Sequence, residues 1–174
     1  MMMPIWPCNI TVQCPRDQLW RHGPLIPGWW VSPTATGIVQ PSEGSVLVDT
    51  GASEILIDEA IAEALKLPVH DEKEFHGVHG SGNLRNYLAK LVLPVTSASG
   101  EQFALGVPVV CGAMPEFTKH YARDGFSVVG ILGRTFLQFC NLEIDGLAGR
   151  VSLRIDESSL LPRECSTASD GERP

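Results

Sequence analysis

Glycine and proline, seventeen and thirteen among 174 residues, interrupt this chain so often that long helices have little room. Glycine weakens the interior of a helix or strand and proline removes a backbone donor, so the chain divides into short pieces joined by turns. The apolar pieces are brief and rich in β-branched residues. They include Leu25 to Val31, Ser45 to Val48, Ile55 to Ile57, Phe103 to Val110 and Ser127 to Leu132. This pattern predicts an all-β fold with one or two short helices.

One helix is expected over Glu59 to Lys66. Asp58 stands at its N-cap, acidic residues gather toward its start, and Pro68 stops it. Ile61, Ala64 and Leu65 are spaced to form its buried face. A second, shorter helix is expected over Thr135 to Phe139. Between Phe75 and Val95, Gly77, Gly80 and Gly82 separate two stretches that can pair as a hairpin, and Leu142 to Asp145 and Arg150 to Ile155 read as closing strands. Pro33 to Gly44 and the polar stretch Met114 to Gly125 read as loops. Residues 1–22, with Pro4, Pro7 and Pro15, read as an irregular arm, and 156–174 as a polar disordered tail, leaving one domain over 23–155.

Composition narrows the partners. A net charge of −7 and a pI near 5.1 argue against nucleic acid, whose phosphates need a basic footprint. No apolar run approaches the ~20 residues of a membrane span. Met1 to Pro7 lacks the basic and apolar regions of a secretory signal. The five cysteines (Cys8, Cys14, Cys111, Cys140, Cys165) form no C-x-x-C pair and read as buried thiols in a reducing compartment, so a cytoplasmic location is expected. His76 and His79, three apart on a hairpin, fall on opposite faces with no third ligand near, so neither metal nor cofactor is expected.

The chemistry concentrates in two motifs. An apolar strand ends abruptly in Asp49-Thr50-Gly51-Ala52-Ser53. About eighty residues later a second, Val128-Val129-Gly130-Ile131-Leu132, ends in Gly133-Arg134 before a helix. Either motif alone is weak, since a strand running into Asp and Gly is often only a tight turn. In this order, with a glycine-rich hairpin between them, they form a constellation.

Over residues 23–155 the chain resembles the retropepsin-like aspartic proteases. Asp49-Thr50-Gly51-Ala52 is similar to that family's catalytic loop, and Ile131-Leu132-Gly133-Arg134 to its second signature. Phe75 to Leu93 is similar to its flap, with Gly77-Val78-His79-Gly80 at the tip and Arg85-Asn86-Tyr87 following. The resemblance implies a closed β-barrel of the acid-protease type and an aspartic endopeptidase acting on peptide or protein substrates. Asp49, Thr50 and Gly51 would then be catalytic, and Ala52, Ser53, Gly77, Val78, His79, Gly80 and Ile131 would contact substrate. Ile55, Leu84 and Val128 would add apolar walls to the cleft.

The mechanism needs two carboxylates sharing one proton. Like charges that close cannot both ionise, so one serves as base toward a water and the other as acid toward the carbonyl oxygen. The chain holds one Asp-Thr-Gly and no internal repeat, so the second Asp49 is expected from an identical chain across a two-fold axis. By the same resemblance, Thr50 would hydrogen-bond across that axis. Three positions depart from the pattern, among them Thr135, which stands where cellular members often carry Asp. Ser53 stands where viral members carry an acid that pairs with the arginine of the second signature, and His79 is unusual at a flap tip. They leave open an alternative, a dimeric module of this fold that binds peptides or organises an assembly without cutting.

Overall fold

The computed structural model describes residues 6–34, 44–77 and 80–156, with the backbone alone for 75–77, 80 and 81. In chain order the elements are β1 (Cys8–Gln13), α1 (Arg16–His22), β2 (Leu25–Pro27), β3 (Trp29–Val31), β4 (Ser45–Val48), β5 (Leu56–Asp58) and α2 (Glu59–Ala64). They continue with β6 (Val69–Gly77), β7 (Gly80–Thr96), β8 (Gln102–Met114), α3 (Phe117–Ala122), β9 (Val128–Leu132), α4 (Arg134–Leu137), β10 (Cys140–Asp145) and β11 (Arg150–Ile155). The expected mostly-β architecture is present, with four short helices among the described residues where one or two were expected.

All eleven strands belong to one sheet, in the order β10-β11-β1-β7-β8-β5-β9-β4-β2, with β3 and β6 also paired to β7. The run Leu25 to Val31, expected as one strand, divides at Gly28. Its first half pairs with β4 and its second with β7, far along the strand order. Gly28 has room for this bend because a Cβ there would lie 3.1 Å from Leu93 and 3.2 Å from Val46. The bend rolls the sheet back on itself into a strongly curled half-barrel. The strand ladders do not complete the closed barrel expected, because the β2 end of the path reaches β7 through the chain and not through paired strands.

Alternation along the strands fills the inside. On β7, Tyr87, Ala89, Leu91, Leu93 and Val95 are buried while Leu88 is exposed, the period of two expected of a pleated strand. Val92 breaks the alternation at the point where β3 pairs alongside β7, with Trp29 as its partner. Trp30 is buried and donates its indole N–H to the Val129 carbonyl at 2.9 Å, pinning β3 across β9.

The irregular arm expected over residues 1–22 is corrected by the structure from Cys8 onward. β1 pairs with β11 along its whole length, from Cys8 opposite Ile155 to Gln13 opposite Arg150, and Cys8 and Ile10 join the main core. Its alternation of apolar and polar residues supplies a buried face, which outweighs the flanking prolines. Residues 1–5, and the tail expected beyond Asp156, lie outside the described residues. In α2 the cap is as read: Asp58 accepts from the Ala60 N–H at 3.0 Å. The helix stops at Ala64, earlier than Lys66, which takes a left-handed φ of 51°. Its buried residue is Ala62, while Ile61 and Leu65 are half-buried and Ala64 is exposed.

Candidate active site

Two parallel neighbours deliver the central carboxylate. β4 runs alongside β9, with Leu47 opposite Ile131 and Val48 opposite Leu132. The ladder continues one bond further, from the Asp49 N–H to the Leu132 carbonyl at 3.1 Å, and the Val48 N–H reaches the Pro24 carbonyl at 2.9 Å. Because side chains alternate, Asp49 shares a face of β4 with Leu47, while Val46 and Val48 point into the main core. Asp49 is therefore half-buried at the end of a strand whose other face is anchored. Its Oδ1 accepts from the Gly51 N–H at 2.8 Å, and its carbonyl accepts from Ala52 at 3.3 Å, closing a tight turn. A Cβ on residue 51 would stand 3.1 Å from that same oxygen, which favours glycine there.

The second motif locks the first. A Cβ at Gly133 would lie 2.1 Å from the Glu54 carbonyl oxygen and 2.9 Å from that of Ala52, so only glycine lets the two backbones meet. Past that contact, the Arg134 N–H donates to Ala52 and the Thr135 N–H to Ser53, at 2.9 and 3.0 Å. The Arg134 guanidinium reaches back to the carbonyls of Thr50 and Gly51, at 3.1 Å each. With Ser53 in place of an acid, the arginine holds the turn by its backbone oxygens. Glu54 faces elsewhere: it pairs with Lys73 on β6 at 3.5 Å and joins the Asp49 turn to the hairpin.

Asp49, Thr50, Gly51, Ala52 and Ser53 are brought together as one turn, with Ile131 half-buried beside Leu47. The hairpin of β6 and β7 is formed, with Gly77 opposite Gly80 at its end. Val78 and His79, and the side chain of His76, lie outside what is described. Of the cleft walls expected, Ile55 belongs to the main core, Val128 is fully buried in a second, smaller cluster, and Leu84 is buried over Gly112. These three pack inward, and Ile131 stays half-buried against the smaller cluster.

Sequence reasoning missed α3. Met114 to Gly125 reads as a polar loop, yet Phe117 is buried with Leu25, Leu47 and Val128, and Met114, Tyr121, Phe126 and Ile131 pack against them. This cluster covers the face of β4 that carries Asp49. Burial first, and the Asp49 charge second, push the Tyr121 hydroxyl above its ordinary pKa. His22, from the end of α1, meets the Phe126 ring at a tilt, with centroids 4.9 Å apart, and approaches Asp124 at 3.8 Å. The spacing of Phe117 and Tyr121 by four was the available signal.

The four described cysteines are free, and Cys8, Cys14 and Cys111 are buried. Burial pushes the Cys111 and Cys140 thiols up to about 12, which keeps them protonated and unreactive at neutral pH. Among the described residues, no group of three or more His, Cys, Asp or Glu is placed to hold a metal ion. No helix among them is long and apolar enough to cross a membrane.

A carboxylate at a strand end, braced by glycine and arginine from a parallel neighbour, defines a class of protein, and the chain belongs to the aspartyl protease family. The family match runs over residues 35–136, more than half of the chain, and takes in both motifs. Among solved structures the chain is similar to the EIAV protease complexed with the inhibitor HBY-793. Identity is 19%, coverage is 66% of this chain and 85% of that one, and the TM-score is 0.34. No curated protein matches the chain.

Proposed function

We propose that this protein is an aspartic endopeptidase, active as a homodimer in which each subunit supplies one Asp49. The observation that carries the reading is the Asp49 turn itself, a half-buried carboxylate held at a fixed place by Leu132, Gly133 and Arg134. Preorganisation of this kind is what general acid–base chemistry requires. In the dimer the two Asp49 carboxyls share one proton: the ionised one draws a proton from water, which attacks the peptide carbonyl, and the protonated one donates to the carbonyl oxygen.

Several features support a second copy. Thr50 is exposed and its hydroxyl has no partner among the described residues, so it is available to bond across a two-fold axis. Trp20 and Leu147 are 84% and 85% exposed. Arg16, one turn before Trp20 on α1, donates to the carbonyls of Gly146 and Leu147 and holds the two regions together. Pro24, just beyond α1, is bonded to the residue before Asp49, so this apolar surface is joined to the carboxylate turn. The reading carries with it a barrel closed through the bent β2–β3 segment.

The test is cleavage of a mixed peptide library from about pH 4 to about pH 7.5, with and without a statine inhibitor. Inhibitable cleavage is expected, with specific activity rising with protein concentration. Asp49→Asn should remove cleavage by on the order of 10⁴-fold or more while the variant stays folded and dimeric. Cleavage that survives this change would remove Asp49 from the mechanism. A folded, dimeric wild type that cuts nothing would leave a peptide-binding module instead.

A further inference from the structure

We propose that Trp30 is a positioning residue of the Asp49 turn: its indole clamps an extra residue in β9 that sets the register of the strands delivering the carboxylate. The inference deepens the endopeptidase reading and rests on it for its kinetic readout.

The pairing of β4 with β9 shifts by one residue near its start. Ser45 lies opposite Val128, but Val46 lies opposite Gly130, so β9 advances two residues where β4 advances one. Val129 is the extra residue. It has no partner on β4, and on the other side β5 pairs with Gly130 and Ile131. Every pair beyond depends on this step: Leu47 meets Ile131, Val48 meets Leu132, and the Asp49 N–H reaches the Leu132 carbonyl at 3.1 Å. Without the step Val48 would face Ile131, and the close fit of Gly133 against Ala52 and Glu54 would be one residue out of place. Extra residues of this kind occur beside active sites, where they re-aim a side chain.

Trp30 holds the step from another strand. Its own backbone pairs with β7, opposite Leu91, and its buried indole N–H donates to the Val129 carbonyl at 2.9 Å. A buried carbonyl at a break in a ladder needs a donor from elsewhere. The ring also lies against Gly130, where a Cβ would stand 2.7 Å from the indole Cζ2 and 2.8 Å from the Leu56 carbonyl oxygen. The Val129 side chain in turn closes on Gly44, where a Cβ would stand 2.8 Å from its Cγ1. Two glycines and one indole therefore fix the step. From Val129 to Leu132 is about 10 Å of strand, so a clamp at one end acts on the other. Trp29 supplies the contrast. It precedes Trp30 on β3, points to the other face, and its buried indole N–H has no partner among the described residues.

The experiment compares Trp30→Phe with Trp29→Phe, each of which removes one indole N–H from β3. Amide hydrogen exchange is read at Asp49, Arg134 and Thr135, with Val151 and Leu153 on β11 as a distant reference. Trp30→Phe should speed exchange at the first three about tenfold relative to the reference, and Trp29→Phe should change it by less than about twofold. On cleaved peptides, Trp30→Phe should lower kcat about tenfold with KM within about twofold, a split that a general loss of stability does not produce. A chain carrying benzothienylalanine at position 30 keeps the double ring and loses only the N–H, so the test stands even if Trp30→Phe does not fold. Loosening confined to the Asp49 turn, in a protein whose wild type cuts nothing, would uphold the clamp and sink the endopeptidase reading. Cleavage by the wild type, with Trp30→Phe speeding exchange at β11 and the Asp49 turn alike or at neither, would overturn the inference and leave that reading intact.

Discussion

Between Asp49 and Ser53 nearly every backbone group is occupied. Leu132, Arg134 and Thr135 bond to the turn from one side, Asp49 closes it from within, and Gly133 presses against it without a side chain. The β6 strand of the hairpin shows the opposite construction. It pairs with β7 alone, and Val69 to Glu74 are all exposed. One region fixes a charge, and the other keeps a backbone whose hydrogen bonds face water on one side. The proposed reaction, with two carboxyl groups a few ångströms apart, would need the first, and entry of a peptide would need the second. Lys73 and Glu54 join the two regions by an ion pair at the surface, too weak to freeze the hairpin.

Substitutions can break this contrast from its rigid side. Gly133→Ala should have the largest effect, since a methyl group 2.1 Å from the Glu54 carbonyl oxygen forces the two motifs apart. A loss of about 3 kcal/mol or more is expected, read as a lowered denaturant midpoint. A variant as stable as wild type would show that the contact yields easily. Arg134→Ala should lower kcat/KM by about 10²-fold while costing about 1–2 kcal/mol of stability, because it frees the Thr50 and Gly51 carbonyls but leaves the strands paired. Unchanged kinetics would mean that the turn holds itself. Glu54→Gln sharpens the comparison from the flexible side. Stability should change by about 1 kcal/mol or less, while amides of β6 exchange with solvent faster and those of Asp49 and Ala52 do not. Equal acceleration in both regions would show that they move together.

Much of this was legible in the chain. Ser45 to Val48 and Val128 to Leu132 announce themselves as buried strands, and the turn after each follows from Asp49-Thr50-Gly51 and Gly133. Asp58 was readable as a cap, though its second role, gripping Thr118, depends on a contact sixty residues away. α3 hid because no side chain caps it: Glu116, at its N-cap, takes a left-handed φ of 60° after Pro115. α1 hid differently. Pro15 before it, Asp17 in its first turn, Arg21 and His22 in its last, and Gly23 after it form a complete helix signature, but three nearby prolines suggested disorder more strongly. The bend at Gly28 is a tertiary choice, since Leu25 to Val31 has the pattern of one continuous strand.

The pairing of β1 with β11 has a consequence for how the protein is made. Cys8 finds its ladder partner in Ile155, so nearly the whole described chain must leave the ribosome before β1 can dock fully. At ordinary rates of synthesis that is a wait of roughly 10 s or longer, during which Cys8, Ile10 and Val12 have no β11 to cover them. The hairpin of β7 and β8 can form early from local contacts, but β1, made long before its partner β11, is among the last to be placed. Newly made chains are therefore most open to chaperones, and to one another, along β1.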